Sequence, residues 1–172
     1  MSQTLALARL NSLDQDAFAG ALGFVFEHSP WVAARAWAAR PFADREALRT
    51  AMIDVLATAS AAERLALIKA HPELAGKAAI AGDLTAESKS EQARAGLDRL
   101  TPEEFDRFHR LNAAYGARFG FPFILCVRLH DKVSILAAME RRLSNDSDAE
   151  IAEAIAQIGL IGALRLADAV EP

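Results

Sequence analysis

A chain of 172 residues, 52% hydrophobic and 24% charged, can bury one substantial core, so a single soluble domain over residues 1–172 is expected rather than a disordered or multi-domain chain. A net charge of −4 supplies no surplus of cations for a nucleic-acid backbone or an anionic membrane. The single cysteine, Cys126, excludes an internal disulfide and a cysteine-built zinc site. Residues 1–10 carry no cationic-then-apolar leader, no apolar run reaches a membrane-spanning length, and the closing Ala169-Val170-Glu171-Pro172 is not a peroxisomal tripeptide. The cytoplasm is the expected location.

In chain order the sequence reads as helices separated by short breaks. Segments 14–27, 30–39, 44–59 and 61–69 come first, with Ser12/Gln15 and Ser60/Glu63 as reciprocal capping boxes at two of their starts. A long break then runs from His71 to Leu84. Segment 86–98 is helical, and so is 101–119, which opens on Thr101/Glu104 with Pro102 in its first turn and stops at Gly120. Segment 131–143 follows. The last helix starts at Ser147/Glu150 and carries a buried stripe through Ile151, Ala154, Ile155, Ile158, Ile161 and Leu164 to Leu166. No period-two alternation is convincing, and the best strand candidate, Ile124–Val127, is short. The expected fold is all-α, a compact single-domain bundle of about eight helices.

Three segments carry chemistry-bearing residues. His71 precedes Pro72, which disfavours helical dihedrals in the residue before it, so His71 stands at a helix end. Its imidazole suits proton transfer near neutrality, but a histidine there also caps carbonyls, and spacing alone favours the cap. Ser88, Glu91 and Gln92 share one helical face, opposite the apolar Ala86, Ala93, Leu97 and Leu100, which by itself describes a solvated face. The run from Phe119 to Arg128 is an aromatic turn, either a buried hinge or a pocket wall presenting backbone groups, with Arg128 able to bind a carboxylate.

His28, His109 and His130 lack such context and read as packing or surface residues. No two histidines stand three or four apart, and Asp106 with His109 is a lone mixed pair, so no metal is expected. There is no glycine-rich phosphate loop and no nucleophile elbow.

Together, His71-Pro72-x-Leu74-Ala75-Gly76, Ser88-x-x-Glu91-Gln92-x-x-Ala95-Gly96-Leu97 and Arg118-Phe119-Gly120-Phe121-Pro122-Phe123 through Arg128 resemble the 2-oxo-4-hydroxy-4-carboxy-5-ureidoimidazoline (OHCU) decarboxylase family. Phe26-Glu27-x-Ser29-Pro30-Trp31 fits as well. The resemblance implies a small all-α homodimer that converts an unstable intermediate of urate breakdown to (S)-allantoin without metal or organic cofactor. It implies that His71 is the proton donor and that Pro72, Ser88, Glu91 and Gln92 lie at the substrate, and we expect Glu91 to aid the proton delivery. It places Phe123, Ile124, Leu125, Cys126 and Val127 against the substrate ring, largely through backbone groups. Arg128 and Arg165 remain candidates for substrate contact. Two competing readings are a helical interaction module, in which segment 86–98 faces water, and a lyase or hydrolase acting on a related ureide.

Overall fold

The computed structural model describes residues 4–172, which form ten α-helices and no strand. They are α1 (Leu7–Ser12), α2 (Gln15–Leu22), α3 (Trp31–Ala36), α4 (Arg45–Thr58), α5 (Ala61–Ala70), α6 (Lys77–Ala81), α7 (Ala86–Arg94), α8 (Pro102–Phe119), α9 (Lys132–Arg142) and α10 (Ser147–Ala169). Short 3₁₀ turns occupy Trp37–Ala39 and Val127–Leu129. The all-α class read from the sequence is the observed one. The two helices beyond the eight expected, α1 and α6, span fewer than two turns, too short for an apolar period to register. Segment 14–27 is helical only as far as Leu22, and Ile124–Val127 is irregular backbone.

Two of the four expected caps are present. Ser60 and Glu63 exchange bonds, with the Ser60 N–H reaching the Glu63 carboxylate at 2.9 Å, and Thr101 with Glu104 closes a full capping box. The other two belong to neighbouring aspartates. Asp14 accepts from the Ala17 N–H at the start of α2, while Ser12 is the last residue of α1 and donates back to Arg9. Asp146 accepts from the Ala149 N–H at the start of α10. Aspartate caps as well as serine does, and Glu150 is drawn away by a stronger partner described below.

The chain divides into two compact units, one of residues 4–67 with 159–172, the other Ile68–Ile158. In the first, α3 packs on α2 and α4 around Phe18, Leu22, Val32, Leu48 and Met52, all fully buried. The end of α10 joins them at close range. A Cβ at Gly162 would lie 2.7 Å from the Phe26 ring, so that site requires glycine, whereas one at Gly159 would meet only the movable end of Ile53 at 2.9 Å. The second unit pairs α8 with α9, and Phe108, Tyr115, Phe123, Ile135 and Met139 fill its core.

Candidate functional site

The helix α5 ends at Ala70, and the His71 N–H turns back onto the Ile68 carbonyl at 3.1 Å, as the proline after His71 requires. The chain then makes a tight turn. Ala75 adopts left-handed dihedrals, φ 51°, and a Cβ at Gly76 would stand 2.7 Å from that of Glu73. This turn is held by side chains rather than by helix or sheet. The Ala75 N–H donates to Gln92 Oε1 at 3.0 Å, Gln92 Nε2 reaches the Glu73 carbonyl at 3.5 Å, and Asn112 Nδ2 donates to the Leu74 carbonyl at 2.9 Å. His71 is thereby fixed at 7% exposure.

Gln92 belongs to α7, which Thr85 starts by accepting from the Ser88 N–H. Its orientation is the reverse of what polarity alone favours. Ser88, Glu91 and Gln92 are 6%, 9% and 6% exposed, whereas Ala86 is exposed and Ala93 half-buried. A helix that turns its hydroxyl, carboxylate and amide inward while leaving alanine outside incurs a desolvation cost. The solvated-face reading is therefore overturned. The helix also packs against the 3₁₀ turn Val127–Leu129, so the second motif meets the third as well as the first.

The third segment leaves α8 through Gly120, whose φ of 75° is the left-handed stop expected there. Phe121 and Phe123 to Val127 are all at least nine-tenths buried, and Pro122 is half-buried. Several of the backbone groups expected to face a ligand are engaged within the chain. The Cys126 N–H donates to Gln157 Oε1 at 2.9 Å, the Ile124 carbonyl accepts from Arg142 at 2.7 Å, and the Cys126 and Val127 carbonyls close the following turn onto the Leu129 and His130 N–H groups.

Behind this segment lies a buried ionic network. Arg142 Nε and Nη2 fork onto Glu150 at 2.8–3.1 Å, Asn145 Nδ2 adds a bond at 2.8 Å, and the Tyr115 hydroxyl bonds the same carboxylate. The Arg142 guanidinium lies over the Phe123 ring at 4.4 Å, and Tyr115 meets that ring edge-on at 5.3 Å. Burial alone pushes the Glu150 carboxyl up, but the Arg142, Tyr115 and Asn145 donors outweigh it and hold it below the ordinary range. Burial, then the bond to Glu150, raises the Tyr115 hydroxyl.

Elsewhere, His28 is exposed with φ 46°, His109 tilts against Phe105, and His130 Nδ1 lies 3.2 Å from Ser134 Oγ, in keeping with packing and surface roles. Arg128 is half-buried. Arg165 forms a buried pair with Glu27 at 3.2 Å and also donates to the Phe24 carbonyl. Among the described residues no three His, Cys, Asp or Glu side chains gather as a metal site needs. A cavity of about 390 Å³ is lined by Gln92 with Ala75, Ile80, Lys89, Leu97 and Phe105 among others, and its lining includes neither His71 nor Phe123–Val127.

Sequence reasoning missed Asn112, Arg142, Glu150 and Gln157. Only Asn112 carried a signal, since it interrupts the buried stripe Phe108-Asn112-Tyr115 at helical spacing, whereas Arg142 and Glu150 stand at the ends of α9 and α10, where a charged residue reads as part of a helix terminus.

A family model described as OHCU decarboxylase matches residues 11–167. The chain is 42% identical to the 2-oxo-4-hydroxy-4-carboxy-5-ureidoimidazoline decarboxylase of Haloferax volcanii, covering 95% of each protein. It is 39% identical to the corresponding protein of Halalkalicoccus jeotgali, over 98% of this chain and 93% of that one. A crystal structure of (S)-allantoin synthase superposes with a TM-score of 0.75 at 29% identity, covering 97% of this chain and 54% of the other. On a match that spans all three motifs and nearly every helix, this chain belongs to the OHCU decarboxylase family.

Proposed function

We propose that the chain decarboxylates 2-oxo-4-hydroxy-4-carboxy-5-ureidoimidazoline to (S)-allantoin, with His71 as proton donor and no metal or organic cofactor. The observation that carries this reading is the inward-turned polar face of α7, from which the His71 turn is hung through Gln92. A helical interaction module has no need to bury Ser88, Glu91 and Gln92 and to hang the turn after His71 on one of them. The names of the family relatives support the substrate.

The substrate supplies its own electron sink. As the bond to CO₂ breaks, its electron pair forms a C=C bond to the carbon bearing the ureido group, and the ring C=N pair moves onto nitrogen, which takes a proton. The carbon bearing the ureido group then takes one proton, and the enol hydroxyl loses one to become the carbonyl. The protein's task is to orient the carboxylate, stabilise the developing charge and deliver the proton to one face. In this proposal His71 delivers it, Glu91 assists, Ser88 and Gln92 bind polar groups of the substrate, and Pro72 with Phe123, Ile124, Leu125, Cys126 and Val127 encloses the ring. Because the Ile124 carbonyl and the Cys126 N–H have protein partners, we assign ring contact mainly to the side chains and remaining backbone of this segment.

The family model covers residues of both compact units, which supports treating residues 1–172 as one functional domain. We place it in the cytoplasm as a homodimer. No helix among the described residues is long and apolar enough to cross a membrane, and Leu129 and Val133, on either side of the extended His130–Asp131 link, are 58% and 69% exposed, which suits a contact between copies. Sedimentation equilibrium should return twice the chain mass, and a monomer at micromolar concentration would refute the dimer.

The activity is tested by adding the purified protein to urate with urate oxidase and hydroxyisourate hydrolase. Faster CO₂ release is expected, and a rate equal to that without the protein refutes the assignment. If the protein instead consumes a related ureide and leaves this intermediate untouched, the reaction class stands in error.

A further inference from the structure

We infer that Arg142, locked by Glu150, is a positioning residue that sets the backbone of Phe123–Val127, the segment assigned above to the substrate ring. The proposal rests on that assignment for its functional half, while its structural half stands on the geometry of the network.

Three observations converge. First, the Arg142 guanidinium is used on every side, with two nitrogens on Glu150, Nη1 on the Ile124 carbonyl at 2.7 Å and its face on the Phe123 ring. Second, the pair is almost entirely out of water, the two side chains being 4% and 0% exposed. A buried ion pair contributes little net stability compared with apolar residues of similar volume, so its retention points to a conformational role. Third, the segment it grips has no strand or helical ladder of its own between Phe121 and Cys126. Irregular buried backbone must find its partners among side chains, and here Arg142 supplies the one for Ile124.

Lysine does not replace this arrangement. Its ammonium is a point charge on a flexible stem, whereas the guanidinium holds a planar fork that serves the carboxylate and the carbonyl together. Arg142→Lys therefore retains a cation for Glu150 and loses the fixed bond to Ile124. The pair Arg142→Met with Glu150→Gln removes both charges, so neither is left buried alone, and keeps an acceptor for Tyr115 and Asn145.

The test measures amide hydrogen exchange and steady-state kinetics on both variants in the full chain. Exchange within residues 121–129 should accelerate at least tenfold while α8 and α10 stay within twofold of the unaltered protein, a pattern that general destabilisation does not produce. Against the ureidoimidazoline, kcat/KM should fall at least tenfold, mainly through KM, with the pH profile retained. Unchanged exchange in 121–129, or kcat/KM within twofold in a folded variant, overturns the proposal. If the unaltered protein has no decarboxylase activity, the functional reading fails and the exchange pattern alone decides whether Arg142 sets this segment.

Discussion

At the scale of single residues, Gln92 joins two motifs. One end of its amide accepts from the Ala75 N–H and the other reaches the Glu73 carbonyl, so the side chain reads the turn after His71 as a template would. Replacing it by alanine strands a buried N–H, and the penalty for an unsatisfied buried donor is about 1–3 kcal/mol. Urea denaturation of Gln92→Ala should show a loss in that range. Activity should fall further than stability implies, because His71 loses its fixed position; a variant with intact kcat/KM would remove Gln92 from the site. Gln92→Glu is the sharper substitution, since it retains the acceptor for Ala75 and turns the group facing the Glu73 carbonyl into a second acceptor.

At the scale of helices, periodicity succeeds for α8 and α10 and misleads for α7 and the end of α9. The apolar stripes of α8 and α10 were legible because Phe108, Tyr115, Ala154 and Ile158 are buried at the spacing a helix demands. The caps at Thr101 and Ser60 and the stop at Gly120 were legible for the same local reason. The orientation of α7 was not, because a polar face points to water unless a partner across the core satisfies it, and that partner, the 73–75 turn, lies far away in sequence. Only the resemblance of motifs pointed inward. The same blindness hid Arg142, which reads as the cationic end of a helix and is in fact its buried anchor.

Breaking that anchor from one side should be costly. Arg142→Met alone leaves the Glu150 carboxylate buried against two neutral donors, and removing one partner of a buried pair typically destabilises by about 3–5 kcal/mol. Adding Glu150→Gln to the same chain should recover most of the loss in a denaturation series. Equal stability of the single and double variants would show that Glu150 is not held by Arg142.

At the scale of the whole molecule, the network makes stability depend on acidity. The folded Glu150 carboxyl titrates below its unfolded value of 4.5, so below that pH the unfolded chain binds a proton that the folded chain refuses. The stabilisation is complete above about pH 4.5 and is lost as pH falls through the lower, folded value. Thermal melts between pH 7 and pH 3 should therefore show an acid-side decline that is shallower in the Arg142→Met/Glu150→Gln protein. Parallel curves for the two proteins would assign the decline to other carboxylates, such as Glu63, which Arg35 and Ser60 hold down at about 2.

The central claim is that a helix-ending histidine, fixed by an inward-turned α7, delivers a proton to one face of the substrate. The most direct measurement is circular dichroism of the allantoin formed from urate by urate oxidase and hydroxyisourate hydrolase, with either the unaltered chain or His71→Asn added. The unaltered chain should give a growing (S)-allantoin signal, and His71→Asn should give the slow racemic background while its helix content and melting remain those of the parent. A folded His71→Asn protein that still yields optically active allantoin at the parent rate would contradict the account.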